Sequence, residues 1–240
     1  MTSPDTRGLW VRLFLPFAAG YFLSYLYRTA NAVIGPVLAR ELHLGDNALG
    51  LLTSTYFLAF GAAQLPLGML LDRFGPRRVE AGLLLLAASG AATFALSDTL
   101  GGLATGRALI GLGVSACLMA SFKAFSQWFP PERQASLTGW IMASGGLGAL
   151  AASKPLELAL GFASWREIAL GLAITTLLVA GQLWFLVPDK ANEKKGAGFA
   201  EQLAGVKTIF SSRHFWRYAP MGFWFTGGFM AVQGLWASRW

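Results

Sequence analysis

Gly68-Met69-Leu70-Leu71-Asp72-Arg73-Phe74-Gly75-Pro76-Arg77-Arg78 is a tight charged turn set between two apolar runs. Residues 49–71 lead into it almost without charge, and residues 79–96 follow it with a single acid, Glu80. Such a turn joins two membrane-crossing helices. Its charges oppose local helix stability. Asp72 sits at the C-terminal end of one run, where the helix dipole disfavours an anion. Arg77 and Arg78 sit at the start of the next, where it disfavours cations. Membrane topology accounts for the arginines. Asp72 needs a partner: Arg73, Arg77 or Arg78 nearby, or a helix N-terminus elsewhere in the fold. Gly68 shares a face with Asp72 at i, i+4 and would let a neighbouring helix approach closely.

The rest of the chain repeats the pattern. Of 240 residues, 13% are charged and 55% hydrophobic, and soluble domains carry about twice that charged fraction. Apolar runs of roughly 20 residues, each long enough to cross a hydrocarbon core of about 30 Å, recur along the whole length. The spacing predicts spans at about 10–37, 48–71, 79–97, 101–125, 136–160, 166–188 and 217–238. The fold class is all-α: a polytopic membrane bundle. The residues divide as 1–188, a six-helix bundle; 189–216, a linker; and 217–240, the seventh helix and start of a second bundle. Within the linker, Phe199, Leu203, Val206 and Phe210 are spaced for an amphipathic helix. The chain stops within the seventh span, so we expect a fragment or truncated product that needs a missing C-terminal half or a second chain.

Charge and composition exclude other classes. The net charge of +7 comes from loop residues, so it reads as topology and contact with anionic lipid, not nucleic acid binding. Arg73, Arg77, Arg78 and Arg133 share a side with the lysines of 189–216, which places that side and the N-terminus in the cytoplasm. A plasma (inner) membrane location follows. The run from Leu9 to Val37 is too long for a cleavable signal and contains Arg28. With one cysteine, Cys117, and two histidines near span ends, His43 and His214, no metal site or cofactor is expected. No nucleophile–base pair sits in the spans, so an enzyme is not expected.

The opening stretch resembles the loop 2–3 signature of the major facilitator superfamily, G-x-x-x-D-R-x-G-x-R-R, matched at Gly68, Asp72, Arg73, Gly75, Arg77 and Arg78. Pro76 stands where that family often has a basic residue. The resemblance implies a latch between two halves of a transporter, with Asp72's partner in the second half. Arg107-Ala108-Leu109-Ile110-Gly111-Leu112-Gly113 is similar to the family's helix 4 pattern. Gly106, Gly113 and Cys117 give span 4 a smooth packing edge. Arg107 reads either as coupling or as a side chain snorkelling outward. Gly111 and Gly113 read as coupling or packing. The glycines of span 5, Gly139, Gly145, Gly146 and Gly148, read as packing.

Arg28 is the candidate substrate residue. A guanidinium two thirds of the way along span 1 costs roughly 2.5 kcal/mol or more on insertion scales, so it must face the bundle interior or a wet cavity. Tyr21, Ser24, Tyr25 and Asn31 form a polar stripe around it. Arginine suits bidentate recognition of carboxylate or phosphate. The run Tyr25-Leu26-Tyr27-Arg28-x-x-Asn31 also resembles helix 1 of organic-anion and organophosphate transporters of the superfamily. Tyr25, Asn31 and Lys123 join Arg28 as candidate substrate contacts, and the partner is a small anionic solute. The expected function is secondary transport of an organic anion by alternating access, with a proton or counter-anion as coupling partner. A drug or metabolite exporter of the same fold, or a truncated non-transporting membrane protein, are the alternatives. Acids in the spans are few, which weakens a proton relay in this half.

Overall fold

The computed structural model describes Gly8, residues 10–189, Gly205 and residues 208–231, with side chains as far as residue 228. It divides into two compact units, Met1–Asn192 and Glu193–Trp240. In the first, a turn of π-helix (Trp10–Phe14) runs into α1 (Leu15–Glu41). There follow α2 (Asp46–Phe74), α3 (Pro76–Leu96), α4 (Leu100–Gly113), α5 (Cys117–Trp128), α6 (Pro131–Ala151), α7 (Lys154–Ala159) and α8 (Trp165–Leu186). In the second unit, α9 (Arg213–Ala231) follows a helical turn at residues 208–211, and Trp216 donates from its indole to the Phe210 carbonyl at 2.7 Å. The expected amphipathic linker helix and the end of the seventh span fall largely outside the described residues.

Five helical stretches among the described residues are long and apolar enough to cross a membrane: Asp46–Phe74, Pro76–Leu96, Leu100–Trp128, Pro131–Ala159 and Trp165–Leu186. α1 is 27 residues long, or about 40 Å at 1.5 Å per residue. It is not among the five because Arg28, Asn31 and their polar neighbours lower its hydropathy. The chain is an integral membrane protein with an all-α fold.

Breaks and caps follow the local sequence. Gly75 ends α2 at φ 79°, a left-handed conformation suited to glycine, and Pro76 opens α3 where its missing N–H costs nothing. Ser164 and Glu167 form a reciprocal capping box at the start of α8. Span 4, expected as one helix over about 101–125, is broken at Val114–Ala116. The break is covered from two sides: Ser24 of α1 donates to the Val114 carbonyl at 3.3 Å, and Gln64 of α2 to the Ser115 carbonyl at 3.4 Å. Polar side chains on two spans thus take up carbonyls freed in the bundle interior, as the lipid setting requires. Span 5 is interrupted likewise at Ala152–Ser153.

Packing is most extensive between α3 and both α4 and α8, then between α2 and α4 and between α1 and α6. The first span leans on the fifth much as the fourth leans on the second, the pattern expected of two swapped three-helix repeats. Small residues set these approaches. A side chain at Gly113 would overlap the backbone of Ala87 on α3, and one at Gly148 would overlap the Phe22 carbonyl on α1. Gly145 lies against Tyr21 and Tyr25, so it too is a packing glycine. Gly139 and Gly146 have open space where a side chain would go. Gly68 is similarly open, so within the described residues the expected close neighbour does not lie against it.

Candidate functional site

The polar stripe of α1 faces the bundle. Arg28 is half-buried, with its guanidinium 4.7 Å from the ring centre of Tyr25 and 5.1 Å from that of Phe60 on α2. Its Nε is buried without a hydrogen-bond partner. Among the described residues no carboxylate lies within ion-pair distance of it. Phe60 stacks on Tyr56 one turn away, centroids 6.2 Å and planes 22° apart. Tyr56 faces a second cation: the Arg107 guanidinium of α4 lies 4.8 Å from its ring centre. Two arginines from the first and fourth spans therefore flank one aromatic pair on the second. Cation–π attraction in a dry site is worth about 2 kcal/mol, which holds the cations in place without neutralising them.

Arg107 is 4% exposed. Its Nη1 donates to the Tyr27 carbonyl at 3.2 Å, while Nε and Nη2 are buried and unpartnered. It turns inward to α1 instead of snorkelling. Gly111 lets α4 lie close against α2, since a side chain there would overlap the Tyr56 carbonyl. Asn31 donates to Thr53 on α2 at 2.9 Å, and its Oδ1 is buried and unpartnered. Tyr27 and Thr176 of α8 share a hydrogen bond of 2.9 Å. Asn31, Tyr27 and Arg107 line a cavity of about 20 Å³, room for about one water.

The sequence-selected residues separate into three places. Arg28 and Tyr25 meet on the aromatic pair of α2. Asn31 and Arg107 meet at the small cavity. Lys123, expected beside the substrate, is paired with Asp72. That pair supplies Asp72 with a partner inside the first unit, from the end of span 4. Arg78 pairs with Asp189 at 2.5 Å, Arg77 lies over Trp184 at 5.6 Å, and Arg73 over Phe74 at 5.2 Å. Sequence reading missed Tyr56 and Phe60. Their signal was an i, i+4 aromatic pair in a span opposite a membrane arginine. Among the described residues no group of His, Cys, Asp and Glu is arranged to hold a metal ion.

The first unit thus buries two under-satisfied guanidiniums, Arg28 and Arg107, and carries the Gly68–Arg78 sequence at the joint of α2 and α3. The family model of the Major Facilitator Superfamily matches residues 17–238. The chain belongs to that superfamily. Its members are transporters rather than enzymes. The chain is 29% identical over 147 residues to the galacturonate transporter of Dickeya chrysanthemi, covering 61% of this chain and 43% of that protein. It is 29% identical over 160 residues to the hexuronate transporter of Escherichia coli (strain K12), covering 67% and 37%. It is 28% identical over 186 residues to the hexuronate transporter of Bacillus subtilis (strain 168), covering 76% and 43%. The matched part of the chain thus spans less than half the length of these relatives.

Proposed function

We propose that this superfamily member forms the first half of a secondary transporter for small organic acids, with sugar acids of the hexuronate type as the leading substrate class. The observation that carries the reading is Arg28: a guanidinium inside the bundle, held on two rings, with a free Nε and no carboxylate beside it among the described residues. Such a charge is costly in a membrane unless an anion completes it. A sugar acid would bring its carboxylate to Arg28 and its hydroxyls to polar groups such as Asn31. Tyr25 and Phe60 would stack the ring's apolar face. Arg107 would add positive field from the far side of the aromatic pair.

The mechanism is alternating access. Residues 1–188 supply the first bundle and the groups that meet the substrate, and the linker 189–216 joins it to a second bundle that begins with 217–240. Asp72, Arg73, Arg77, Arg78 and Lys123 form the latch at the cytoplasmic end, with the N-terminus on that side of the plasma membrane. Two-sided coupling through a proton or a counter-anion completes the cycle. The test is counterflow in proteoliposomes with galacturonate, glucuronate and a neutral hexose, using the unaltered protein and Arg28→Ala. Exchange of the acids alone, lost in the variant, supports the reading. Equal exchange by both proteins overturns it, and transport of neutral or cationic solutes that survives Arg28→Ala marks an exporter instead.

A further inference from the structure

Glu80 is the acid that the site above does not use. It lies in the first turns of α3, just after Arg77-Arg78-Val79, and is fully buried. Neither carboxyl oxygen has a hydrogen-bond partner. The carboxyl is wedged against α1 at Gly20, where even a Cβ would overlap Oε1, and the Cys117 thiol borders the same spot. Cys117 is the first residue beyond the break in span 4. An unpaired acid therefore sits where α1, α3 and the broken fourth span converge, one turn from the latch.

The neighbours leave the acid uncompensated. From α5 it faces the Cys117 thiol, and the next cation on that helix, Lys123, is held by Asp72. From α1 it faces the Gly20 backbone, while the adjacent Tyr21 directs its hydroxyl to Met142. α4 and α8 carry Arg107, Arg166 and Glu167. Arg107 donates to Tyr27, Arg166 pairs with Asp98, and Glu167 caps its own helix. α2 carries its charges at its ends: Asp46 in the first turn, Asp72 and Arg73 in the last. An ionised carboxylate in this seat would lose its hydration with only the weak thiol donor of Cys117 in exchange. Gly20 and Cys117 also offer no set of oxygen ligands for a metal ion.

We propose that Glu80 is the coupling proton site of this half: it holds a proton while the latch end is closed and releases it when that end opens and water reaches it. The step is O–H dissociation to water, leaving a hydrated carboxylate and a hydronium ion. The proposal rests on the transport reading for its function, though the buried proton can be detected without any substrate.

Two measurements test it. Infrared difference spectra of purified protein in lipid should show a carboxylic-acid C=O band at neutral pH that disappears in Glu80→Gln. No band lost in the variant overturns the proposal, whatever the substrate proves to be. In proteoliposomes, Glu80→Gln should lose accumulation of galacturonate driven by a pH gradient while counterflow persists. Driven accumulation that survives the substitution overturns the coupling role. Glu80→Gln should also unfold no more readily than the unaltered protein, since the amide replaces a neutral acid. Marked destabilisation would show an ionised, structural carboxylate and sink the proposal. Failure of both proteins to exchange acids, with the infrared band present, would sink the substrate reading alone.

Discussion

Arg28 and Arg166 are both arginines of membrane helices, and they are finished differently. Arg166 opens α8, and both terminal nitrogens of its guanidinium are engaged. It donates to the carbonyls of Ala95 and Ser97 at 2.8 and 3.0 Å, pairs with Asp98 at 2.5 Å and Glu41 at 3.9 Å, and stacks on Trp165 at 4.2 Å. Trp165 completes the node by donating to Glu41 at 2.7 Å. The node fastens the end of α1, the end of α3 and the start of α8. Arg28 has two aromatic rings and a free Nε; Arg107 has one carbonyl and two free nitrogens. Arg166 is tied into a node between helix ends, whereas Arg28 and Arg107 keep buried nitrogens without a partner, which is the basis of the binding role proposed for them.

The largest expected effect is at Arg28. Truncating one partner of a buried charge pair costs about 2–5 kcal/mol, roughly thirtyfold or more in affinity. Arg28→Ala should remove acid-sugar binding by at least that factor in isothermal titration, with thermal stability kept. Arg28→Lys keeps the charge but not the fork, and should recover only part of the affinity. Arg107 gives the sharpest break in the comparison. Replacing an under-satisfied buried cation by an apolar chain of similar length is often neutral or stabilising by about 1–4 kcal/mol. Arg107→Met should therefore leave unfolding midpoints unchanged or raised while transport falls. Arg166→Met should do the reverse. It should cost about 1–3 kcal/mol of stability, read as a lower unfolding midpoint, with substrate affinity intact. If the two variants behave alike, counting unused donors does not separate function from structure here.

Much of this was legible in the sequence because membrane helices obey a severe rule. Apolar runs of span length, charged turns between them and the Gly68–Arg78 signature were enough for the bundle and for the family. Arg28 stood out because charge is rare in a span. The partners were not legible. Tyr56 and Phe60 look like ordinary span aromatics until α2 is turned toward α1. Span 4 read as one helix because Gly111-Leu112-Gly113-Val114 is apolar throughout, and the break becomes visible only through Ser24 and Gln64 reaching its carbonyls. Glu80 read as a single acid in an apolar run, and its burial against Gly20 and the Cys117 thiol is a property of packing. The fate of Lys123 was also hidden. Asp72 and Lys123 are 51 positions apart, and their pairing depends on how the ends of α2 and α5 meet.

That pair is where the smallest energetic effect is expected, although it carries the most specific motif. The Lys123 side chain is 22% exposed and that of Asp72 54%, so water competes with the bond and salt screens it. Exposed pairs of this kind contribute about 0.2–1 kcal/mol in double-mutant cycles. A cycle of Asp72→Asn and Lys123→Gln on unfolding free energy should return a coupling within that range and diminish with added salt. Transport should be more sensitive than stability. In the role proposed for it the pair would have to open every cycle, and a contribution of this size would shift the balance between two states severalfold without locking either. The Arg166 node makes the opposite choice at its own end of the bundle. A coupling energy well above that range, insensitive to salt, would put Asp72 and Lys123 with Arg166 as fixed structure and would leave the gating role to Arg77 and Arg78.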